Sequence, residues 1–262
     1  MSTQFETSES SLIATQSARR VVAITGAGGA LGTALSRRFA AEPNTALVLS
    51  DVAEESLASS VEATKGSETP VAGILADVSN FDEVQAVVQL AVEQFGRLDV
   101  LISNAGILSK NGRIHNLTTE DWERSFQVNV LGAANAIRAA VAAMRTQQSG
   151  SIVLTASVAG LTAWSHSAPY CATKAAVIQL AKVAAVEYAR DGIRVNCVCP
   201  GTFRSAIHEG LPDEALDTIA ARHPLGIGAA EDLVGAYSYL ASPESRWTTG
   251  AALVVDGGYA AP

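Results

Sequence analysis

The chain has 262 residues, 48% of them hydrophobic and 17% charged, which is enough apolar surface for one large buried core and excludes an extended disordered chain. The formal net charge of −8 at pH 7, with no stripe of clustered Lys and Arg, excludes a nucleic-acid partner. The two most apolar helical stretches, around 128–144 and 172–186, are interrupted by Asn129, Asn135, Arg138, Lys174 and Lys182, so no membrane span is expected.

Residues 1–18, MSTQFETSESSLIATQSA, are rich in Ser and Thr, carry two Glu and no basic residue, and lack the apolar centre of a secretory signal. They read as a flexible tail ahead of one domain over 19–262, in a cytoplasmic protein. Beyond the tail, the runs VVAIT (21–25), ALVLS (46–50), VAGILA (71–76), DVLIS (99–103), SIVLTA (151–156), IRVNCVC (193–199) and ALVV (252–255) predict seven strands. Helical patterns fill the intervals at 30–41, 53–64, 80–96, 121–147, 168–190 and 230–241. This is the βαβ rhythm of an α/β protein, a single-domain doubly wound Rossmann fold whose seven-stranded parallel sheet carries helices on both faces. The strands are apolar almost throughout, as a sheet covered on both sides requires. The interval 202–229 breaks the rhythm with Pro212, Pro224 and three Gly. It follows the sixth strand at the end where ligands bind, and is predicted to be a substrate lid.

TGAGGALG (25–32) directly follows the first strand and opens a helix. Its glycines suit a sharp turn that lets backbone amides approach a pyrophosphate, although an ordinary strand-to-helix turn would read the same way. Asp51 ends the second strand, where its carboxylate can accept from adenosine ribose hydroxyls or, alternatively, cap the next helix. No Arg or Lys stands in the glycine turn or immediately after Asp51. NAD is therefore favoured over NADP, whose extra phosphate Asp51 would repel.

Tyr170 and Lys174 are four residues apart in YCATK, on one face of a helix. The ammonium is expected to lower the phenol pKa toward working pH, making Tyr170 an acid/base group. A YxxxK pair also occurs on ordinary solvated helix faces. Ser157 follows the fifth strand and can hold a substrate oxygen. A hydrolase role for Ser157 is discarded, because the chain has no G-x-S-x-G elbow. Asn129 stands in an apolar helical stretch, either bonded to backbone or linked through water to the lysine.

These pieces, with DV (77–78), SNAG (103–106), RVN (194–196), CPGTFRS (199–205) and VVDGGY (254–259), resemble the short-chain dehydrogenase/reductase family from about Arg20 to Pro262. The resemblance implies a Ser157, Tyr170, Lys174 set extended by Asn129 into a proton relay, with Lys174 also holding the nicotinamide ribose. It implies cofactor contacts from Gly26, Gly28, Gly29, Ala30, Leu31 and Gly32, from Asp51 and Val52, and from Asp77 and Val78 beside the adenine. Asn104, Ala105 and Gly106 would support the cofactor, and Pro200, Gly201, Phe203 and Ser205 would meet its nicotinamide end. Members similar to this chain form homotetramers. The departures are Ala30 for the usual middle glycine, Ser103 for Asn, Ser205 for Thr, and a shortened PLGIGAAED (224–232).

Trp164 and His166 could line a pocket for an apolar or ring-bearing alcohol, or could pack a subunit contact. Arg204 could attract an acidic substrate group or pair with a surface carboxylate. His115, His208 and His223 lack metal-ligand spacing and read as surface or loop residues, with no metal implied. Cys171, Cys197 and Cys199 read as buried free thiols. The expected partner is a small secondary alcohol or ketone. The competing reading is a catalytically silent NAD(H)-binding sensor or scaffold of the same fold.

Overall fold

Apolar runs, buried in the centre of the sheet and partly exposed at its edges in β3 and β7, form seven strands: β1 (Arg20–Thr25), β2 (Thr45–Asp51), β3 (Val71–Leu75), β4 (Val100–Ser103), β5 (Gly150–Thr155), β6 (Ile193–Pro200) and β7 (Ala252–Val255). All pair in parallel, in the order β3-β2-β1-β4-β5-β6-β7. The computed structural model describes residues 19–205 and 213–261. The tail 1–18, His208 and the middle of the 202–229 interval lie outside the described residues.

Alternate side chains of each strand serve opposite layers. Val21 and Ala23 face a core shared with helices α3 (Phe81–Phe95), α5 (Gly132–Gln147) and α6 (Ala168–Tyr188). Val22 and Ile24 face a second core with α1 (Ala30–Ala40), α2 (Glu54–Glu62) and α8 (Glu231–Ala241). Each fully buried Val, Leu or Ile contributes about 1.5–3 kcal/mol. Both layers thus clamp the centre of the sheet. The strand order reverses between β1 and β4, so the loops after these strands part and leave a crevice at their carboxyl ends.

The predicted helix over 121–147 is interrupted. Helix α4 (Thr119–Phe126) starts with a capping box between Thr118 and Asp121. A wide turn with i→i+5 bonds follows over Gln127–Leu131, before α5. The extra residue turns the Asn129 amide out of the helix toward Ile107, a partner the sequence pattern does not display.

The lid interval also contains an unforeseen helix, α7 (Asp213–Ala220). Gly228 N–H donates to Thr202 O and Arg204 N–H donates to Gly228 O, closing the base of this interval against itself. Cys197 and Cys199 are buried as expected, whereas Cys171 is only half-buried because it belongs to the first turn of α6, at the cleft edge.

Candidate active site

The glycine turn holds its shape because its neighbours leave no room for side chains. Gly26 has a φ of +64°, and a Cβ there would come within 2.6 Å of Ala105 Cα. At Gly32 it would lie 2.1 Å from Gly26 O, so helix α1 packs directly on the turn. Gly29 differs, since the nearest atom to a Cβ there would be 3.7 Å away. Thr25 Oγ1 accepts from the N–H groups of Asn104 and Ala105, and Asn104 Nδ2 donates to Gly26 O at 2.9 Å. The SNAG turn after β4 is therefore tied to the glycine turn.

Asp51 bridges two segments. Its Oδ2 accepts from Gly28 N–H at 2.8 Å and its Oδ1 from Ala53 N–H at 3.0 Å. The helix-capping alternative is met in part as well, because Ala53 occupies the cap position of α2 and its N–H is the one that Asp51 Oδ1 accepts from. Val52 beside it is 70% exposed. Asp77 turns inward on itself, its Oδ1 accepting from Ser79 N–H, while Val78 is buried and packs under Gly132.

Tyr170 and Lys174 project from the start of α6 into the same cleft as the glycine turn and Ser157. Ser157 is extended and buried, and its Oγ accepts from Ala159 N–H at 3.1 Å. Its hydroxyl proton is left to donate. Lys174 is buried and gives one N–H to Thr155 O at 2.8 Å. Asn129 Oδ1 accepts from Ile107 N–H, and Nδ2 donates to Ile107 O and Thr173 Oγ1. The backbone-bonded alternative is thus the one its amide adopts. Both Asn129 Oδ1 and Lys174 Nζ face Gly106, within 3.2 and 3.3 Å of where its Cβ would be.

Burial reverses one expectation. It pushes the Tyr170 phenol above its ordinary value, with Ser157 pulling the other way. Lys174 lies 5.7 Å from the ring centroid, and burial brings its own pKa down to about 8. For the phenol, desolvation of the phenolate outweighs the hydrogen bond from Ser157.

The cleft encloses about 1720 Å³, more than a drug-sized ligand needs. Every glycine-turn residue named above except Gly32 lines it, as do Asp77, Asn104, Ala105, Gly106, Pro200, Gly201, Phe203 and Ser205. Gly32 lies beneath, in packing. Trp164 and His166 line the far end, whereas Arg204 is exposed and outside the lining. His115 is exposed as expected. His223 is the loop residue expected but not a surface one: it is 3% exposed. Its burial is tolerated because Nε2 accepts from Thr202 N–H at 3.1 Å and Nδ1 meets Ile219 O at 2.8 Å. Arg222, which no motif flagged, lines the same end, as does Tyr259 from the VVDGGY segment (254–259).

These residues fit a dinucleotide. No side chain caps α1, so the amides of its first turn are free to meet a pyrophosphate. The space at Gly29 allows close approach, Asp51 offers carboxylate oxygen, and Lys174 keeps two N–H groups beyond its bond to Thr155.

A family model described as enoyl-(acyl carrier protein) reductase matches residues 26–260. The chain is 37% identical over 245 residues to cis-4-hydroxycyclohexanecarboxylate dehydrogenase of Sinomonas cyclohexanicum, covering 93% of this chain and 98% of that protein. Among solved structures, NAD+-bound xylitol dehydrogenase aligns with a TM-score of 0.86 at 28% identity, over 93% of this chain and all of that one. ElxO with NADP bound aligns with a TM-score of 0.87 at 29% identity and the same coverage.

Proposed function

The chain belongs to the short-chain dehydrogenase/reductase family, and from that membership we propose that it moves a hydride between NAD(H) and a secondary alcohol or ketone, with Tyr170 as acid and base. One observation carries this reading: the Tyr170 side chain lines the glycine-turn cleft one helical turn from buried Lys174, alongside Ser157. The bound nicotinamide supplies the hydride donor or acceptor. Ser157, hydrogen-bonded to Tyr170, turns its hydroxyl hydrogen to the substrate oxygen and fixes that oxygen beside the phenol. Tyr170 gives its proton to a ketone oxygen, or takes one from an alcohol. Lys174 holds the nicotinamide ribose with its spare N–H groups, and Asn129 braces the Ile107 backbone beside them.

Because burial raises the phenol pKa, Tyr170 stands protonated near neutral pH, the form that serves ketone reduction. The NAD preference rests on Asp51, since no Lys or Arg lines the cleft among its neighbours Gly28, Gly29, Val52 and Ser56. Phe203, Ile219 and His223 of the 202–229 interval line the cleft, which supports its role as substrate lid.

The test is a panel of secondary alcohols and ketones, assayed with NAD and NADP in parallel. Tyr170→Phe is expected to cut turnover by about a hundredfold or more while leaving NADH binding intact. Turnover within about threefold of the parent would overturn the assignment of Tyr170. Asp51→Ala is expected to weaken NADH and improve NADPH binding, as measured by fluorescence titration. Equal affinity of the parent protein for both would contradict the cofactor preference.

A further inference from the structure

An aromatic wall leads away from the reacting centre. The Tyr170 ring stacks on Trp164 with centroids 6.0 Å apart, and Trp164 meets Tyr259 edge-on at 6.2 Å. The Arg222 guanidinium lies over the Tyr259 ring, 4.8 Å from its centroid. His223 packs on that same ring at 4.8 Å. With Nε2 accepting from Thr202 N–H, His223 is neutral at that nitrogen and fully engaged, so it anchors the neighbouring Arg222 without adding charge.

The hydrogen-bonding capacity of this wall is weighted toward donors. Arg222 has no carboxylate within ion-pair distance among the described residues. Trp164 Nε1 and Tyr259 Oη are shielded from solvent and have no partner among the described residues. An indole N–H can only donate, and a guanidinium offers five donors and no acceptor. Glu123 and Arg124, which line the same cleft, carry opposite charges. The wall therefore holds one net cation with no carboxylate partner among the described residues, beside a shielded indole N–H and a shielded phenol hydroxyl that can donate or accept, and a carboxylate complements that cation. Stacking on Tyr259 holds the guanidinium in place in advance, so less side-chain freedom is lost on capture.

Taking the hydride-transfer reading as its basis, we propose that Arg222, with Tyr259 and Trp164, recognises a carboxylate on the substrate, making hydroxy acids and keto acids with an apolar or ring-bearing body the preferred class. The site is distinct from Ser157 and Tyr170, which hold the reacting oxygen.

The test uses calorimetric titration of the NADH-loaded protein with cyclohexanecarboxylate and with its neutral isostere cyclohexanecarboxamide. The acid is expected to bind about tenfold tighter, with the preference shrinking as salt rises. Arg222→Leu should abolish the preference, and Arg222→Lys should keep part of it. Equal affinity for the two compounds, or an equal change for both in Arg222→Leu, would overturn the proposal. In turnover, 2-, 3- and 4-hydroxycyclohexanecarboxylates are compared with cyclohexanol. The ratio of KM values should move about tenfold against the best acid in Arg222→Leu, with the change in KM and not in kcat. An acid preference in binding with no turnover of any alcohol would strike the hydride-transfer reading and uphold the carboxylate wall. Tyr170-dependent turnover with no acid preference would do the reverse.

Discussion

Gly29 separates ligand binding from folding within one turn. A methyl group at Gly26 or Gly32 collides with backbone, whereas one at Gly29 meets nothing nearer than 3.7 Å. Gly29→Ala should therefore lower stability by only about 0.5–1 kcal/mol, the difference between Gly and Ala at a helix cap. NADH affinity should fall about tenfold or more, because the methyl group points where the backbone must approach pyrophosphate. A titration showing unchanged affinity would remove Gly29 from the cofactor site. At this scale the sequence was readable where chemistry is local. Asp51 follows its strand and the glycines follow theirs, and Tyr170 and Lys174 share a helix face by spacing alone. It was unreadable where chemistry is assembled. Arg222 meets Tyr259 across 36 intervening positions that no periodicity connects. The raised phenol pKa follows from burial, which a four-residue spacing does not express.

Among elements, the wide turn at Gln127–Leu131 couples fold and site. Its Asn129 amide satisfies both the N–H and the C=O of Ile107, which borders the cleft. Asn129→Ala leaves those backbone groups without their partner and is expected to cost about 1–3 kcal/mol, read as a lowered denaturant midpoint. A midpoint unchanged within about 0.5 kcal/mol would mean that water replaces the amide without penalty. The strands were legible within a residue or two because β-branched apolar runs buried on both faces leave little choice of register. The wide turn was not, since one additional residue in a long apolar helix hardly disturbs its pattern. Helix α7 was hidden for the opposite reason: the flanking Pro212, Pro224 and glycines read as loop, and eight residues between them are too few to show a period.

For the molecule as a whole, burying the Lys174 ammonium links stability to pH. Its pKa is about 8 in the folded protein against 10.5 ordinarily. Between those values the unfolded chain binds more protons, so stability rises with pH across that window and the full cost of the buried charge is felt below about pH 8. The stability of Lys174→Met relative to the parent should thus be greatest below pH 8 and decline by on the order of 3 kcal/mol as pH approaches 10.5. A difference that stays flat with pH in urea titrations would show that the amine is not desolvated. The fold that buries this lysine also limits where the proposed reaction can tell left from right. Ala159 N–H occupies one side of the Ser157 oxygen, so the serine hydrogen and the phenol would fix only the alcohol oxygen, and two enantiomers aiming a hydrogen at the nicotinamide would differ in which carbon substituent meets the Trp164 and Tyr259 rings. Unequal consumption of a racemic mixture would therefore measure how strongly those rings distinguish the two substituents.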